Sequence, residues 1–324
     1  MAATSVRSTP VLIAAEPLRS RRRWLWTPAE WGIAAALLYF TVLFLLLWPA
    51  PRAEIWIGVD SAGLALLAGL SQTQMDLRAE IVRAWAVLLL WMPLAYAQSG
   101  AFGTTLVGSV EPALIHLDRL FCGLNWWQRR PPAPGMATTI LEIFYTFNHV
   151  ALAIALLLGT IWAVQGAGKK RPRYGRKARR SCAPPQAPVT RLAGALALGL
   201  LLCYVCFPFL PAVTPRLYFP QLRGIDAEGW ARALNAWLLA HFGIPSGIFP
   251  SGHVAGPAAL TGGLWRLRRR GWTLIYGLLT LVIAFATVHG NYHFVVDAVA
   301  GGAVGAVAGF GLEPALARRI SIGN

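Results

Sequence analysis

Two stretches in the carboxy-terminal third concentrate the residue types that do chemistry. Residues 245–253 read Pro-Ser-Gly-Ile-Phe-Pro-Ser-Gly-His and run straight into an apolar segment that starts near Ser251. Pro250 just ahead of that segment, with Ser251 placed to cap it, predicts a helix start there. The free amides and positive dipole end of such a start make a site for an anion, phosphate especially. His253 then projects from the first turn. On its own, a capped helix start with an incidental His is an equally open reading. Residues 289–297 read His-Gly-Asn-Tyr-His-Phe-Val-Val-Asp and open the last apolar segment. The four-residue spacing of His293 and Asp297 puts both on one face of a helix, within hydrogen-bonding reach. A carboxylate on one imidazole nitrogen fixes the tautomer and leaves the other nitrogen unprotonated, as a nucleophile or base. An Asp in a membrane segment is costly, by about 2.5–3.5 kcal/mol near the centre, so it normally has a partner.

These groups must be positioned by membrane helices. The chain has 324 residues, 56% hydrophobic and 13% charged, with a mean hydropathy of +0.53. A soluble domain carries about 25% charged residues. Four scattered Cys exclude a disulfide scaffold. The net charge of +16 does not point to nucleic acid, because the basic residues cluster beside apolar runs. The first run, Trp31–Trp48, follows Arg19 and Arg21–Arg23 and is expected to be a retained helix rather than a cleaved signal. Further runs lie near 81–98, 140–163, 191–211, 251–265, 272–288 and 292–312, with a weaker one at 56–70 interrupted by Asp60. The expectation is an all-α, polytopic membrane helix bundle.

Charge bias orients it. Eight Lys or Arg fall in 165–190, four Arg in 266–270, five Arg in the amino-terminal tail, and Arg318 and Arg319 close the chain. With all of these on the cytoplasmic side, the last four runs alternate without conflict, and both termini lie inside. An even helix count follows: eight if 56–70 spans, six without it and one neighbour. The loops 99–139 and 212–250 and the turn 289–291 then face outward, and His253 and His293 meet at the same outer membrane face. The basic stretch 165–190 reads as a cytoplasmic linker, and Arg266–Arg270 as a topology signal.

Pro250-Ser251-Gly252-His253, followed about forty residues on by His293-x-x-x-Asp297 and Ala300-Gly301, resembles the type 2 phosphatidic acid phosphatase superfamily. The resemblance covers roughly residues 80–312. It implies a six-helix core preceded by amino-terminal helices: a basic tail at 1–28, an amino-terminal transmembrane region at 29–79, the membrane domain at 80–312 and a cytoplasmic tail at 313–324. It implies that His293 attacks phosphorus, that Asp297 orients it, and that His253 protonates the leaving oxygen. Ser251 and the Gly252 amide would hold phosphate oxygens. The phosphatase pattern also has an Arg six residues before the nucleophilic His, where this chain has Thr287, and a Lys where it has Phe209. The run Phe207–Arg216 is more similar to the proline-rich segment of the inositol phosphorylceramide synthase-like branch. That resemblance implies an inositolphosphotransferase type of sphingolipid chemistry, with phospholipid and lipid-alcohol substrates. Arg216 is the expected phosphate ligand, Arg223 a weaker second, and His289 and Asn291 fill the space of the missing Arg.

Other readings stay open. A lipid phosphate or prenyl-pyrophosphate phosphatase differs only in using water as acceptor. A non-enzymatic lipid-binding or transport protein would use the intramembrane His and Asp for coupling. His289, His293 and Asp297 have the spacing of metal ligands, but Gly290 interrupts the helix that would align them, so neither metal nor cofactor is expected. His149, near Glu142, Tyr145 and Asn148, is either functional or an interhelical hydrogen bonder. Asp118, Arg119, Asn125, Trp126 and Trp127 mark an outer amphipathic stretch. The sequence leaves the oligomeric state unknown.

Overall fold

The computed structural model describes residues 26–47, 53–73, 75–102, 110–123, 135–167, 186–222 and 229–323. Arg223, Asn125, Trp126, Trp127 and most of the basic linker lie outside these. The described residues form α1 (Pro28–Leu46), α2 (Ala53–Ser71), α3 (Leu77–Ala86), α4 (Met92–Ala101), α5 (Glu111–Cys122), α6 (Met136–Ala167) and α7 (Pro188–Tyr204). They continue with α8 (Pro215–Tyr218), α9 (Trp230–Phe242), α10 (Gly252–Arg266), α11 (Arg270–His289), α12 (Val295–Ala306) and α13 (Glu313–Gly323). A π-helical turn joins α3 to α4, and another joins α12 to α13. No strand occurs among the described residues. Six of the helical segments are long and apolar enough to cross a membrane, and α7 is a shorter apolar helix. The chain is a polytopic all-α membrane protein.

The weak run at 56–70 is a full helix. Its Asp60 is fully buried, and it accepts hydrogen bonds from Thr41 on α1 (2.9 Å) and from Gln98 on α4. A carboxylate satisfied from two neighbouring helices is tolerated in an apolar layer, where an unpaired one is not. Glu30 does similar work at the other end of α1: it closes a capping box with Thr27 and pairs with Arg83 on α3 at 2.5 Å.

α7 is the central post, with nearly every residue buried. Against it pack α10 and α12, whose contact is set by glycine. A Cβ at Gly301, Gly305 or Gly309 would stand 2.3, 2.2 or 2.1 Å from the backbone oxygens of Ser251, Ala255 and Ala259. Three glycines at four-residue spacing thus let the α12 backbone lie directly on α10, the close approach that small-residue stripes allow in membranes. The two helices run parallel from adjacent first turns. The last helix does not end at 312: it continues into α13, where buried Glu313 pairs with Arg191 of α7 at 3.1 Å.

Candidate active site

The glycine contact brings the starts of α10 and α12 side by side, and with them the two sequence motifs. The Ser251 amide donates to the Asp297 carbonyl at 3.1 Å, tying the helix starts together. Ser251 is the cap residue of α10, but its side chain does not cap the helix. Its hydroxyl instead lies 3.2 Å from His293 Nε2. The cap expectation is therefore corrected: the hydroxyl is drawn to the imidazole, and the first-turn amides of α10 receive no side-chain acceptor.

His293 also departs from expectation in its place. It precedes Phe294, the residue that caps α12, so it stands just outside the helix rather than on its face. The pairing with Asp297 nevertheless forms, because Asp297 folds back over the turn. One of its oxygens, Oδ2, accepts the Phe294 amide at 2.9 Å and faces His293 Nδ1 at 3.5 Å. Among the described residues Nδ1 has no hydrogen-bond partner, and neither has the second Asp297 oxygen. Both side chains are buried. The turn is held from three further sides. Asp118 on α5 accepts the amides of Val295 (3.0 Å) and Val296 (2.8 Å), and the Thr287 carbonyl at the end of α11 accepts those of Tyr292 and His293. Asn291 takes a positive φ of 57°, a conformation Asn tolerates better than most residues, and its carbonyl accepts the Arg216 amide. α11 ends at His289 and α12 begins at Val295, so His289 does not share a continuous helix face with His293 and Asp297. Its Nε2 is buried without a partner.

His253 sits on the first turn of α10 with its ring centroid 5.7 Å from that of His293. Its other face stacks on Tyr145 of α6 at 4.6 Å; Tyr145 stacks on Tyr292 at 3.8 Å, and the Arg216 guanidinium lies 3.8 Å from the centre of Tyr292. One continuous column, Arg216–Tyr292–Tyr145–His253, therefore runs beside the histidines. His149, one turn further along α6, meets His253 edge-on at 5.3 Å and is itself exposed.

The column is anchored by Glu142, which the sequence marks only as an ionisable residue in an apolar run. Buried Glu142 accepts from Arg216 (3.0 Å), Arg232 (3.2 Å), Asn235 (2.7 Å) and the Tyr292 hydroxyl (2.5 Å). Burial holds the Tyr292 hydroxyl well above the usual phenol range, with Arg216 pulling the other way, so it stays protonated and donating. Arg216 also donates to the Gly290 carbonyl at 2.5 Å. The expected phosphate ligand is thus buried beneath the turn that carries His293 and engaged with a carboxylate, rather than standing open on a loop. Arg232 and Asn235, three apart on α9, were not legible as site residues. The available signal was that a buried Glu in a membrane helix demands cationic partners.

Fold and site together define a multi-pass helical membrane protein with two histidines and an aspartate at adjoining helix starts. Residues 183–311, spanning α7 to α12, match the family model of the PAP2 superfamily. No curated protein and no solved structure gives a match. Glu142, Tyr145, His149 and Asp118 lie outside the matched segment, so the site draws on helices beyond it.

Proposed function

We propose that the chain is a membrane enzyme that moves a phospho-headgroup from a phospholipid to a lipid alcohol through a covalent His293 intermediate. The observation that carries this reading is the placement of His293 itself, with Nδ1 toward Asp297, Nε2 toward an oxygen (that of Ser251), and the His253 ring 5.7 Å away. In the first step His293 Nε2 attacks phosphorus and the bond to the leaving alkoxide breaks; His253 supplies the proton that the departing oxygen takes. In the second step the acceptor hydroxyl gives its proton to His253 and attacks phosphorus, and the P–N bond breaks. The amides opening α10, from Gly252 onward, and Ser251 stabilise the equatorial oxygens, where transition-state charge spreads. His289, whose Nε2 has no partner, is a further donor for them.

The state of Arg216 favours a diester donor. A phosphomonoester carries a charge near −2 and calls for several cationic ligands. Here Thr287 and Phe209 replace two of them, and both Arg216 and Arg232 are engaged by Glu142. A diester such as phosphatidylinositol, with one negative charge, suits that set, in line with the inositol phosphorylceramide synthase-like branch. Because the Arg-rich helix ends lie at the opposite end of the bundle, the positive-inside rule puts the histidines on the outer face of a cell membrane and both termini in the cytoplasm.

The test is a thin-layer assay of purified protein with labelled phosphatidylinositol plus ceramide, phosphatidate and prenyl pyrophosphate. A headgroup transferred to the lipid alcohol, absent in His293→Ala, is the expected result. In His253→Ala, turnover should fall most for poor alkoxide leaving groups and least for nitrophenol. Release of inorganic phosphate from monoesters alone would make the chain a lipid phosphatase, and full activity in His293→Ala would refute the covalent route.

A further inference from the structure

A second feature lies at the other end of the bundle, about 20 Å away along α10 by helix rise. There the ends of α7, α10, α11 and α13 surround a cleft of about 1060 Å³ lined by Gln186, Arg191, Arg266, Arg268, Arg270 and Arg318, with Trp265, Leu267, Pro314 and Ala317 between them. As a topology signal the arginines need only lie on one side of the membrane; nothing in that role makes them converge on a cavity. The cleft is also undersupplied with anions. Arg191 is paired with Glu313, and Arg318 donates to the Pro314 carbonyl, but Arg266, Arg268 and Arg270 have no carboxylate partner among the described residues. Arg268 takes a positive φ of 57° in the three-residue turn between α10 and α11; Arg266, Arg268 and Arg270 line the cleft, while Arg269 turns away over Trp162 at 4.3 Å. Gln186 lies on the cleft wall, and its side-chain oxygen has no hydrogen-bond partner among the described residues.

The lining identifies the ligand's chemistry. Guanidinium forks match phosphate oxygens, and a free phosphate ion would need nothing else. Trp265, 56% exposed, and Leu267, Pro314 and Ala317 add an apolar wall beside the arginines. Aromatic residues with basic residues at the end of a membrane helix define headgroup depth, and basic pockets between helices on the basic face of a membrane protein suit acidic lipid headgroups. The unpartnered Gln186 oxygen accepts from a hydroxyl, which a glycerol or inositol headgroup carries and a choline headgroup lacks.

We propose that this cleft binds the phosphate of an anionic, hydroxylated phospholipid from the leaflet opposite the histidines. It does not depend on the catalytic reading above, and its test reads binding alone. Full-length protein in neutral detergent is titrated with dioleoyl-phosphatidylglycerol or dioleoyl-phosphatidylcholine, and retained lipid is counted by native mass spectrometry. One phosphatidylglycerol should bind at least tenfold more tightly than phosphatidylcholine. In the double variant Arg268→Gln/Arg270→Gln its affinity should fall by about 30-fold, taking roughly 1 kcal/mol per basic residue at a lipid headgroup. The double variant Arg78→Gln/Arg319→Gln removes two exposed charges from the same end of the bundle but outside the cleft, and should bind as the parent does. Equal loss in both double variants would reduce the effect to bulk charge and overturn the proposal. So would equal binding of the two lipids. Displacement of phosphatidylglycerol by millimolar inorganic phosphate would reassign the cleft to a soluble phosphate anion and overturn the lipid source.

Discussion

Substituting Glu142 by Gln isolates the charge that holds the catalytic turn, because shape and size are kept. In the parent, Oε1 faces Arg216 and Arg232 while Oε2 faces Asn235 and Tyr292, so all four partners donate. A Gln has one acceptor oxygen and one donor nitrogen. Whichever way its amide turns, an NH2 group meets two donors, and two buried guanidiniums lose their counter-charge. Removing one partner of a buried ion pair costs about 3–5 kcal/mol. If all of that cost appeared as displacement of Tyr292 and the turn that leads to His293, turnover would fall by roughly two to three and a half orders of magnitude. Part of it will appear instead as a lower melting temperature, so the two are read together: transfer from labelled phosphatidylinositol in detergent, with kcat and KM separated, and unfolding followed by Trp fluorescence. A fall in kcat with KM little changed is expected, since Glu142 reaches the site only through Arg216, Asn235 and Tyr292. Glu142→Asp, which keeps the charge, should recover part of the loss. Wild-type melting and turnover in Glu142→Gln would refute the anchoring role. Lower melting with unchanged kcat below the transition would show that the cluster supports the fold but does not position the histidine.

Asp118→Asn removes the charged acceptor from the start of α12, and a cap of this kind contributes about 0.5–2 kcal/mol, so turnover should drop between about threefold and thirtyfold in the same assay. Asp297→Asn that keeps an oxygen for the Phe294 amide also keeps it toward His293 Nδ1 and removes only the negative charge there; melting should be close to the parent's while turnover falls by about two orders of magnitude for want of the counter-charge to the imidazolium. Gly305→Val drives a side chain into the Ala255 carbonyl and should give protein that elutes aggregated on size exclusion, whereas Gly302→Ala, with 3.7 Å to Val254, should elute as the parent does. In a background without native Cys, Gln221→Cys should react with a membrane-impermeant thiol reagent on intact cells and Arg319→Cys should not; the reverse pattern would turn the protein over in the membrane.

What was legible in the sequence was local or statistical. The helix start at Ser251 follows from Pro and Ser at fixed offsets, the start of the last helix was expected a few residues early with His293 inside it, and the segregation of arginines to one end is a bulk tendency that survives without knowing any contact. The four-residue spacing of Gly301, Gly305 and Gly309 is a signal for a helix–helix contact face that went unread. What could not be read were choices between partners. Ser251 had two acceptable roles, capping or contacting His293, and the outcome depended on how closely α12 approached α10. Glu142 announced that it needed cations, but the partners were Arg216 and Arg232, 74 and 90 residues away, and no periodicity links them. Tyr145 looked like an ordinary core aromatic, because its importance lies in the two rings it separates and not in its own sequence context.

The position of His293 outside the helix has a physical consequence. A residue inside α12 would take its orientation from helical geometry alone, whereas one in the preceding turn needs every neighbouring element to fix it. Those elements are present: α5 through Asp118, α10 through the Ser251 amide, α11 through the Thr287 carbonyl, and α6 through Glu142, which reaches the Gly290–Tyr292 segment by way of Arg216 and the Tyr292 hydroxyl. None of these contacts involves a substrate, so the imidazole is oriented before one arrives, the condition under which the nucleophile proposed above would gain most from proximity. Asp297 joins the two levels of the arrangement. The oxygen that accepts the Phe294 amide is the same one that faces Nδ1, so the carboxylate beside the imidazole cannot shift without undoing the start of its own helix.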